Sequence, residues 1–297
     1  MAATESPFVM GCMRINELSD KAVAEWIDQA LSLGIHAFDH ADIYARGECE
    51  AQFGRVLAET PSLREQIVLQ TKASIRNGFY DSSKEHLLKS VDESLHRLQT
   101  DYVDVFMLHR PDALMEVEEV AEVFDHLAGS GKVKSFGVSN FNRYQLEWLQ
   151  EAVHQPIVLN QLQFSPAHAS LLSTGIQANT EFTGSIDRDG GVLTYCQRHD
   201  ITIQAWSPFQ FGFFEGVYLD HPRYPELNTV LQQLADHYGV TKAAIVAAWI
   251  LRHPSKMEVV VGSTKSQRVA DIVVGADITL SRKDWYAIYQ AAGNRLP

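Results

Sequence analysis

Short apolar runs rich in Val, Ile and Phe alternate along the chain with longer stretches whose apolar residues fall at helical spacing. The runs are Phe8 to Met10, Ile35 to Phe38, Ile67 to Leu69, Val103 to Leu108, Val133 to Val138, Ile157 to Leu159, Ile201 to Ala205 and Val259 to Val261. Brief, uninterrupted apolar runs of this kind read as strands buried on both faces. Between them, Ser19 precedes an amphipathic stretch from Ala22 to Leu33 that Gly34 closes. Ser82 and Ser83 precede Leu87, Leu88, Val91, Leu95 and Leu98. A third stretch, Leu114 to Ala128, ends at Gly129 and Gly131, and Asn140 or Asn142 is placed to cap a helix running through Leu149. Thr241 is placed to cap a wholly apolar helix reaching Leu251, with Pro254 just beyond.

Strands alternating with helices pair in parallel through right-handed crossovers. About eight such units in 297 residues, with no linker between halves, predict a single closed (β/α)8 TIM barrel spanning residues 1–297, for which about 250 residues suffice. An open doubly wound sheet would carry Gly-x-Gly-x-x-Gly after its first strand, and that motif is missing. No internal repeat appears. Two long connections, about 165–191 and 207–226, break the rhythm, and loops of that length are usually functional or disordered. Asn179 to Gly191 is poor in apolar groups apart from Phe182 and Ile186, so its composition predicts a mobile surface excursion.

Composition narrows the function classes. Hydrophobic residues at 45% and charged residues at 21% describe an ordinary globular chain. A net charge of −12 repels a nucleic-acid backbone, so no nucleic-acid partner is expected. The cysteines Cys12, Cys49 and Cys196 have neither disulfide-framework nor zinc-site spacing, and no metal is expected. Met1 to Phe8 lacks the pattern of a secretory signal. The longest apolar run, Ala243 to Leu251, is too short for a bilayer, which takes about 20 residues. A cytoplasmic enzyme with no membrane partner is the expectation; composition is silent on oligomeric state.

Barrel active sites lie where strands end, so polar residues that close apolar runs are the candidates. Asp39 closes the second run and Tyr44 stands five residues further on. Lys72 follows the third run and His109 the fourth. Singly, Asp39 could cap a turn, Lys72 could sit in solvent and His109 could be a satisfied strand-end histidine. Together they make a tunable acid. A tyrosine hydroxyl near pKa 10 gives up its proton reluctantly. A neighbouring ammonium would lower that value, a carboxylate would hold the ammonium in place, and a neutral histidine would orient a carbonyl oxygen.

The motifs that carry these residues resemble the aldo-keto reductase superfamily over nearly the whole chain. They are Phe-Asp-His-Ala-Asp-Ile-Tyr at 38–44, Gln-Thr-Lys at 70–72, Leu-His-Arg-Pro-Asp at 108–112, Gly-Val-Ser-Asn-Phe at 137–141, Asn-Gln at 160–161, Trp-Ser-Pro at 206–208 and Val-Gly-Ser-Thr-Lys at 261–265. His-Ala-Asp-Ile-Tyr and His-Arg-Pro-Asp are similar to the bacterial YdhF-type oxidoreductases. The resemblance implies an NADPH-dependent reductase of aldehydes or ketones, with Tyr44 as proton donor, Lys72 and Asp39 as its partners and His109 on the carbonyl. It implies that Ser139, Asn140 and Gln161 bind the nicotinamide carboxamide and that Trp206 stacks on the ring. The cofactor would continue over Ser207, Pro208, Phe209 and Gly212 to Gly262, Ser263, Thr264, Lys265 and Arg268, where the cations meet a 2′-phosphate. Asp271 and Ile272 would touch adenine.

Four departures accompany the resemblance. Ala45 stands where the family usually has glycine after its tyrosine. Phe209, Gln210 and Phe211 precede Gly212 in a loop that is often glycine-rich. Asn179 to Gly191 looks inserted, and only Met1 to Pro7 precede Phe8, so the hairpin expected before the first strand is absent or the chain begins late. Two further function classes stay open, an NADPH-binding regulatory module of the same fold with slow turnover and a barrel lyase or isomerase. Met13, Ile43, Phe79, Tyr80 and the loop from Phe211 to Tyr218 would line the pocket for a small apolar or aromatic carbonyl substrate.

Overall fold

A computed structural model describes residues 6–297. Residues 1–5, on which the expectations of no signal and no leading hairpin largely depend, lie outside the described residues. Eight strands form a closed barrel: β1 (Phe8–Gly11), β2 (Ala37–Asp39), β3 (Val68–Ala73), β6 (Val103–Leu108), β7 (Val133–Ser139), β8 (Ile157–Gln163), β9 (Thr202–Trp206) and β12 (Met257–Val261), in the order β1-β12-β9-β8-β7-β6-β3-β2. Two antiparallel hairpins stand apart from it, β4 (Ile75–Arg76) with β5 (Phe79–Tyr80), and β10 (Gln210–Phe211) with β11 (Gly216–Val217). The predicted TIM barrel is therefore the fold. By residue contacts the chain divides into two compact units. One comprises the described residues up to Gln161 with Gly262–Ser266; the other comprises Leu162–Val261 with Gln267–Pro297.

In the first unit, the two-residue period of a strand sorts side chains between barrel interior and helix layer. On β2, Phe38 packs between Trp26 of α1 (Asp20–Ser32) and Phe53 of α2 (Glu48–Glu59), at ring-centroid distances of 5.8 and 5.4 Å. Its neighbour Asp39 points the other way, into the interior. On β3, Gln70 and Lys72 face inward while Thr71 reaches out to Glu50 of α2. α3 (Lys84–Leu98) lies against α2. Phe124 of α4 (Val117–Gly129) stacks on Phe136 of β7 at 4.0 Å.

The second unit is centred on α9 (Lys242–Leu251), apolar on every side and buried from Ala244 to Ile250. Trp249 stacks on Trp285 of α11 (Arg282–Ala291) at 5.0 Å, and each indole N–H donates to the other residue's carbonyl, at 3.0 and 2.9 Å. Both rings thereby bury their area with no polar atom stranded. Among the described residues, no helix is long and apolar enough to cross a membrane.

Where element boundaries differ from the sequence pattern, local bonding explains it. Ile35 is outside β2 because its N–H returns to Ala30 O, completing the turn that Gly34 makes at φ +74°. Leu114 is 86% exposed and precedes α4; Asp112 holds it in a separate turn by accepting from Leu114 N–H at 2.9 Å. Ser83, not Ser82, caps α3. Asn142 caps α5 (Arg143–Ala152) with a full capping box shared with Gln145, whereas Asn140 adopts φ +63° outside the helix.

The 179–191 segment, whose composition predicts a mobile surface excursion, carries its own local turn bonds. Asp187 accepts from the N–H groups of Asp189 and Gly190, and Asp189 from those of Gly191 and Val192. Ser185 closes a 3-10 turn onto Phe182 and Thr180, and the Arg295 guanidinium lies 5.2 Å from the Phe182 ring. Short polar side chains here close their own turns.

The approach of α2 to α3 depends on Gly54. A Cβ there would meet Arg97 O at 2.0 Å and the Leu98 carbonyl carbon at 2.8 Å, both backbone atoms that no rotamer change relieves. Gly54→Ala is expected to cost at least about 2 kcal/mol by overpacking. A thermal unfolding midpoint within a degree of the parent would show that the two helices separate freely.

Candidate active site

Parallel register brings the sequence candidates to one end of the strands. Asp39 pairs with Gln70 across β2 and β3, Lys72 pairs with Met107 across β3 and β6, and His109 N–H donates to Ala73 O just past the end of β6. Lys72 and Asp39 are both buried, and the ammonium reaches both carboxylate oxygens, at 2.6 and 2.7 Å. Gln70 Nε2 and Gln161 Nε2 also donate to Asp39, at 3.3 and 3.1 Å. Gln161 is on β8, opposite β2 in the barrel order, so this bond spans the interior.

Tyr44 opens a turn, Tyr44–Gly47, that runs into α2. Ala45 (φ +48°), Arg46 (φ +59°) and Gly47 (φ +89°) are all left-handed. Gly47 has a second reason to be glycine, since a Cβ would meet Arg97 Cδ at 2.8 Å. Ala45 stands where the resemblance leads one to expect glycine, and its positive φ supplies the reason for that glycine. A side chain there costs roughly 1–2 kcal/mol. The turn sets the half-buried Tyr44 with its ring centroid 5.2 Å from Lys72 Nζ and 6.2 Å from the His109 ring, edge to face.

The electrostatics depart from the simple expectation that Lys72 lowers the Tyr44 pKa. Burial, followed by the Asp39 charge, pushes it well above its ordinary value. The Asp39 carboxylate that clasps Lys72 adds to that rise, and desolvation leads it. Tyr44 is a protonated phenol at neutral pH. Burial, with Lys72 and Arg110 adding to it, holds His109 well below the usual histidine range, so its imidazole is neutral. His109 Nδ1 is buried without a hydrogen-bond partner among the described residues.

Behind Tyr44 lies a second set that sequence reading did not single out. Buried Glu50 accepts from Thr71 Oγ at 2.6 Å and from Arg97 Nε at 2.8 Å, tying α2 to β3 and α3. A glutamate inside a helix carries no signal of burial; Gln70 did, standing two residues before Lys72 on the same strand face. Asp42, half-buried, is pushed up to about 7 by burial and by the Glu50 charge. His40 is buried edge-on to Phe53 with neither ring nitrogen partnered among the described residues, and burial lowers it to about 3.

The expected cofactor residues fall into three groups. Ser139 Oγ donates to Gln161 O at 3.0 Å and accepts from Asn140 Nδ2 at 2.8 Å, so these three form one bonded set. In the second group, Trp206 ends β9 and Ser207 (φ +50°) turns the chain, its hydroxyl donating to Gln210 Oε1 at 2.7 Å. Tyr218 closes the loop through its hydroxyl to Pro208 O and its N–H to Phe209 O, and Gln163 Nε2 donates to Gly212 O at 2.8 Å. Phe211 and Tyr218 are buried, so they are core residues of this loop and not the pocket lining expected of them. The third group runs from exposed Gly262 through Ser263, whose carbonyl accepts from Trp26 Nε1 at 3.1 Å, and half-buried Thr264 to α10 (Ser266–Val273). Lys265 and Arg268 are exposed around the start of α10, and neither is ion-paired among the described residues. Asp271 accepts from Gln267 Nε2, and Ile272 is buried in the core.

A model of the Aldo/keto reductase family matches residues 7–292. The chain is 35% identical to the Escherichia coli (strain K12) oxidoreductase YdhF, covering 97% of this chain and 93% of that protein. It is 34% identical to a 6-dehydroglucose reductase of Agrobacterium fabrum, covering 97% and 94%. In fold it is similar to an aldo-keto reductase from Klebsiella pneumoniae solved with NADPH, at a TM-score of 0.76 and 21% identity over 97% of this chain and 92% of that one.

The raised Asp42 value has a definite sign. Unfolded aspartate ionises near 3.8, whereas folded Asp42 keeps its proton to about 7. The folded state therefore binds more protons in that window, and stability contributed by this group is lost as pH rises through it. Asp42→Asn removes the penalty. It should raise the unfolding midpoint at pH 7.5 and have a much smaller effect at pH 4. Equal shifts at the two pH values would mean that Asp42 is ionised in the fold at both.

Proposed function

The chain belongs to the aldo/keto reductase family, and from that premise we propose that it reduces aldehydes or ketones to alcohols with NADPH, Tyr44 giving the proton. The observation that carries this reading is the buried Lys72–Asp39 pair beside a protonated Tyr44 and a neutral His109. A carbonyl oxygen held by the His109 imidazole gains negative charge as its carbon is reduced, and the Tyr44 hydroxyl delivers the proton that completes the alcohol. The tyrosinate left behind is stabilised by the Lys72 ammonium, whose position Asp39, Gln70 and Gln161 fix. Desolvation keeps the proton on Tyr44 until the oxygen has become basic enough to take it.

The residues fit a phosphorylated dinucleotide. Lys265 and Arg268 offer two exposed cations without carboxylate partners among the described residues, in a chain whose net charge is −12. Gly262 leaves open space where a Cβ would stand, which admits close approach of a ligand to backbone. Ser139, Asn140 and Gln161 would hold the carboxamide and Trp206 the nicotinamide face. The loop Ser207, Pro208, Phe209 and Gly212 would carry the pyrophosphate, Ser263, Thr264, Lys265 and Arg268 the 2′-phosphate, and Asp271 the adenine, whereas Ile272, expected beside it, is a core residue. When bound, NADPH supplies the hydride.

Exposed Met13, Ile43, Phe79 and Tyr80, in the same unit as the tetrad, support an apolar or aromatic carbonyl as substrate. The 6-dehydroglucose reductase relative makes oxidised sugars the other class to assay.

Tyr44→Phe should lower carbonyl reduction by about 10²- to 10⁴-fold, the usual worth of a general acid, while NADPH binding stays within twofold. Turnover above a third of the parent's would remove Tyr44 from the mechanism. A second expectation concerns cofactor choice. Replacing Lys265 and Arg268 together by alanine should weaken NADPH binding at least tenfold more than NADH binding, since each cation makes a charge-assisted bond to phosphate. Fluorescence titration of both cofactors decides; equal losses would show that neither side chain reads the 2′-phosphate.

A further inference from the structure

The hairpin of β10 and β11 carries two phenylalanines at its tip that the proposed chemistry does not use. Phe214 lies parallel to Trp206 within 25°, at a centroid distance of 5.7 Å, and Phe213 meets the same indole edge-on at 6.3 Å and 89°. The two phenyl rings also contact each other, edge to face, at 4.9 Å. Both are conspicuously unburied for phenylalanine, 66% exposed at Phe213 and 49% at Phe214. Burial alone does not account for them.

Backbone conformation sharpens the point. Phe214 adopts φ +62°, a left-handed geometry that glycine or asparagine accepts and a bulky residue resists. Strain of this kind persists only where the surroundings over-determine it. They do so here. Phe211 is buried against His221 and Tyr224, the Arg223 guanidinium lies 5.2 Å from its ring, and Arg223 pairs with Glu215 at 3.3 Å. Glu215 packs over Gly212, and Gln163 fixes the Gly212 carbonyl. The base of the hairpin is locked, and it delivers the Phe214 ring to the indole.

We propose that Phe214 is a positioning residue that sets the plane of Trp206, so that one indole face is backed by phenyl and the other is presented to the nicotinamide. This rests on the reading that Trp206 holds the nicotinamide ring. An indole on a strand end can turn about its side-chain bonds, and each alternative orientation it visits before binding weakens the ligand by that fraction. A parallel phenyl plate removes those orientations, because offset stacking is the favoured arrangement for two aromatic planes. Phe213, at 89° to the indole, adds a second ring contact to it.

The test is NADPH affinity by fluorescence titration in a set of variants. Trp206→Ala should weaken binding about tenfold or more. Phe214→Ala and Phe214→Gly should each weaken it by about three- to tenfold, the worth of one aromatic pair, and Phe214→Tyr should stay within twofold. The glycine variant relaxes the strained backbone while removing the ring, so a loss shared by both truncations assigns the effect to the ring. In a Trp206→Ala background, Phe214→Ala should change affinity by less than twofold. If Trp206→Ala has no effect, the nicotinamide reading falls and this inference with it. If Trp206→Ala weakens binding while both Phe214 truncations leave it within twofold, the inference alone is overturned. Tighter binding by Phe214→Ala would also overturn it, making the ring a competitor for the indole face.

Discussion

A lysine ammonium with no access to water is tolerable only if a carboxylate answers it, and Lys72 with Asp39 is where this protein places that demand. Breaking such a pair by removing one partner typically costs about 3–5 kcal/mol, because the survivor is left as an uncompensated charge. The barrel meets the demand from three strands. β3 contributes Lys72 and Gln70, β2 contributes Asp39, and β8 reaches across the interior with Gln161. Parallel register is what brings these groups to one level, so strand pairing and site chemistry constrain each other. The outward face of β3 answers a similar demand, since Thr71 meets Glu50, itself neutralised by Arg97.

The same pairing decides what Tyr44 can do. An unpaired ammonium would draw the phenol toward ionisation, whereas a clasped one leaves desolvation to dominate and keeps the proton in place. The backbone around Tyr44 carries its own cost. Three successive left-handed residues, two of them not glycine, reverse the chain between Tyr44 and α2. Strain at this point, and again at Phe214, accompanies aromatic groups held at fixed positions around the proposed site.

Polar and aromatic side chains do structural work in the long connections too. The 207–218 loop is held by Tyr218, Gln163 and buried Phe211, and the 179–191 segment by two aspartates that close its turns. Neither loop obtains its path from apolar area alone.

By itself, the chain's pattern determined the eight strands, the parallel alternation and the apolar α9, because burial on both faces or on all sides demands uninterrupted apolar runs. It also determined the tetrad candidates, since Asp39, Lys72 and His109 each close such a run and Tyr44 follows at a fixed spacing. Helix caps were legible to within a choice, Ser82 or Ser83 and Asn140 or Asn142, and bonding settled each. What only the tertiary structure decided is everything that depends on a partner distant in sequence. Gln161 donates to Asp39 across 122 positions, Glu50 is buried by an arginine from the next helix, and Phe211 turns into the core instead of toward ligand. The Tyr44 pKa direction belongs to this class as well, for desolvation and the nearness of the Asp39 charge are properties of three-dimensional proximity. A residue's type and spacing state what it can do, and the field and water around it, which no local pattern encodes, decide what it does.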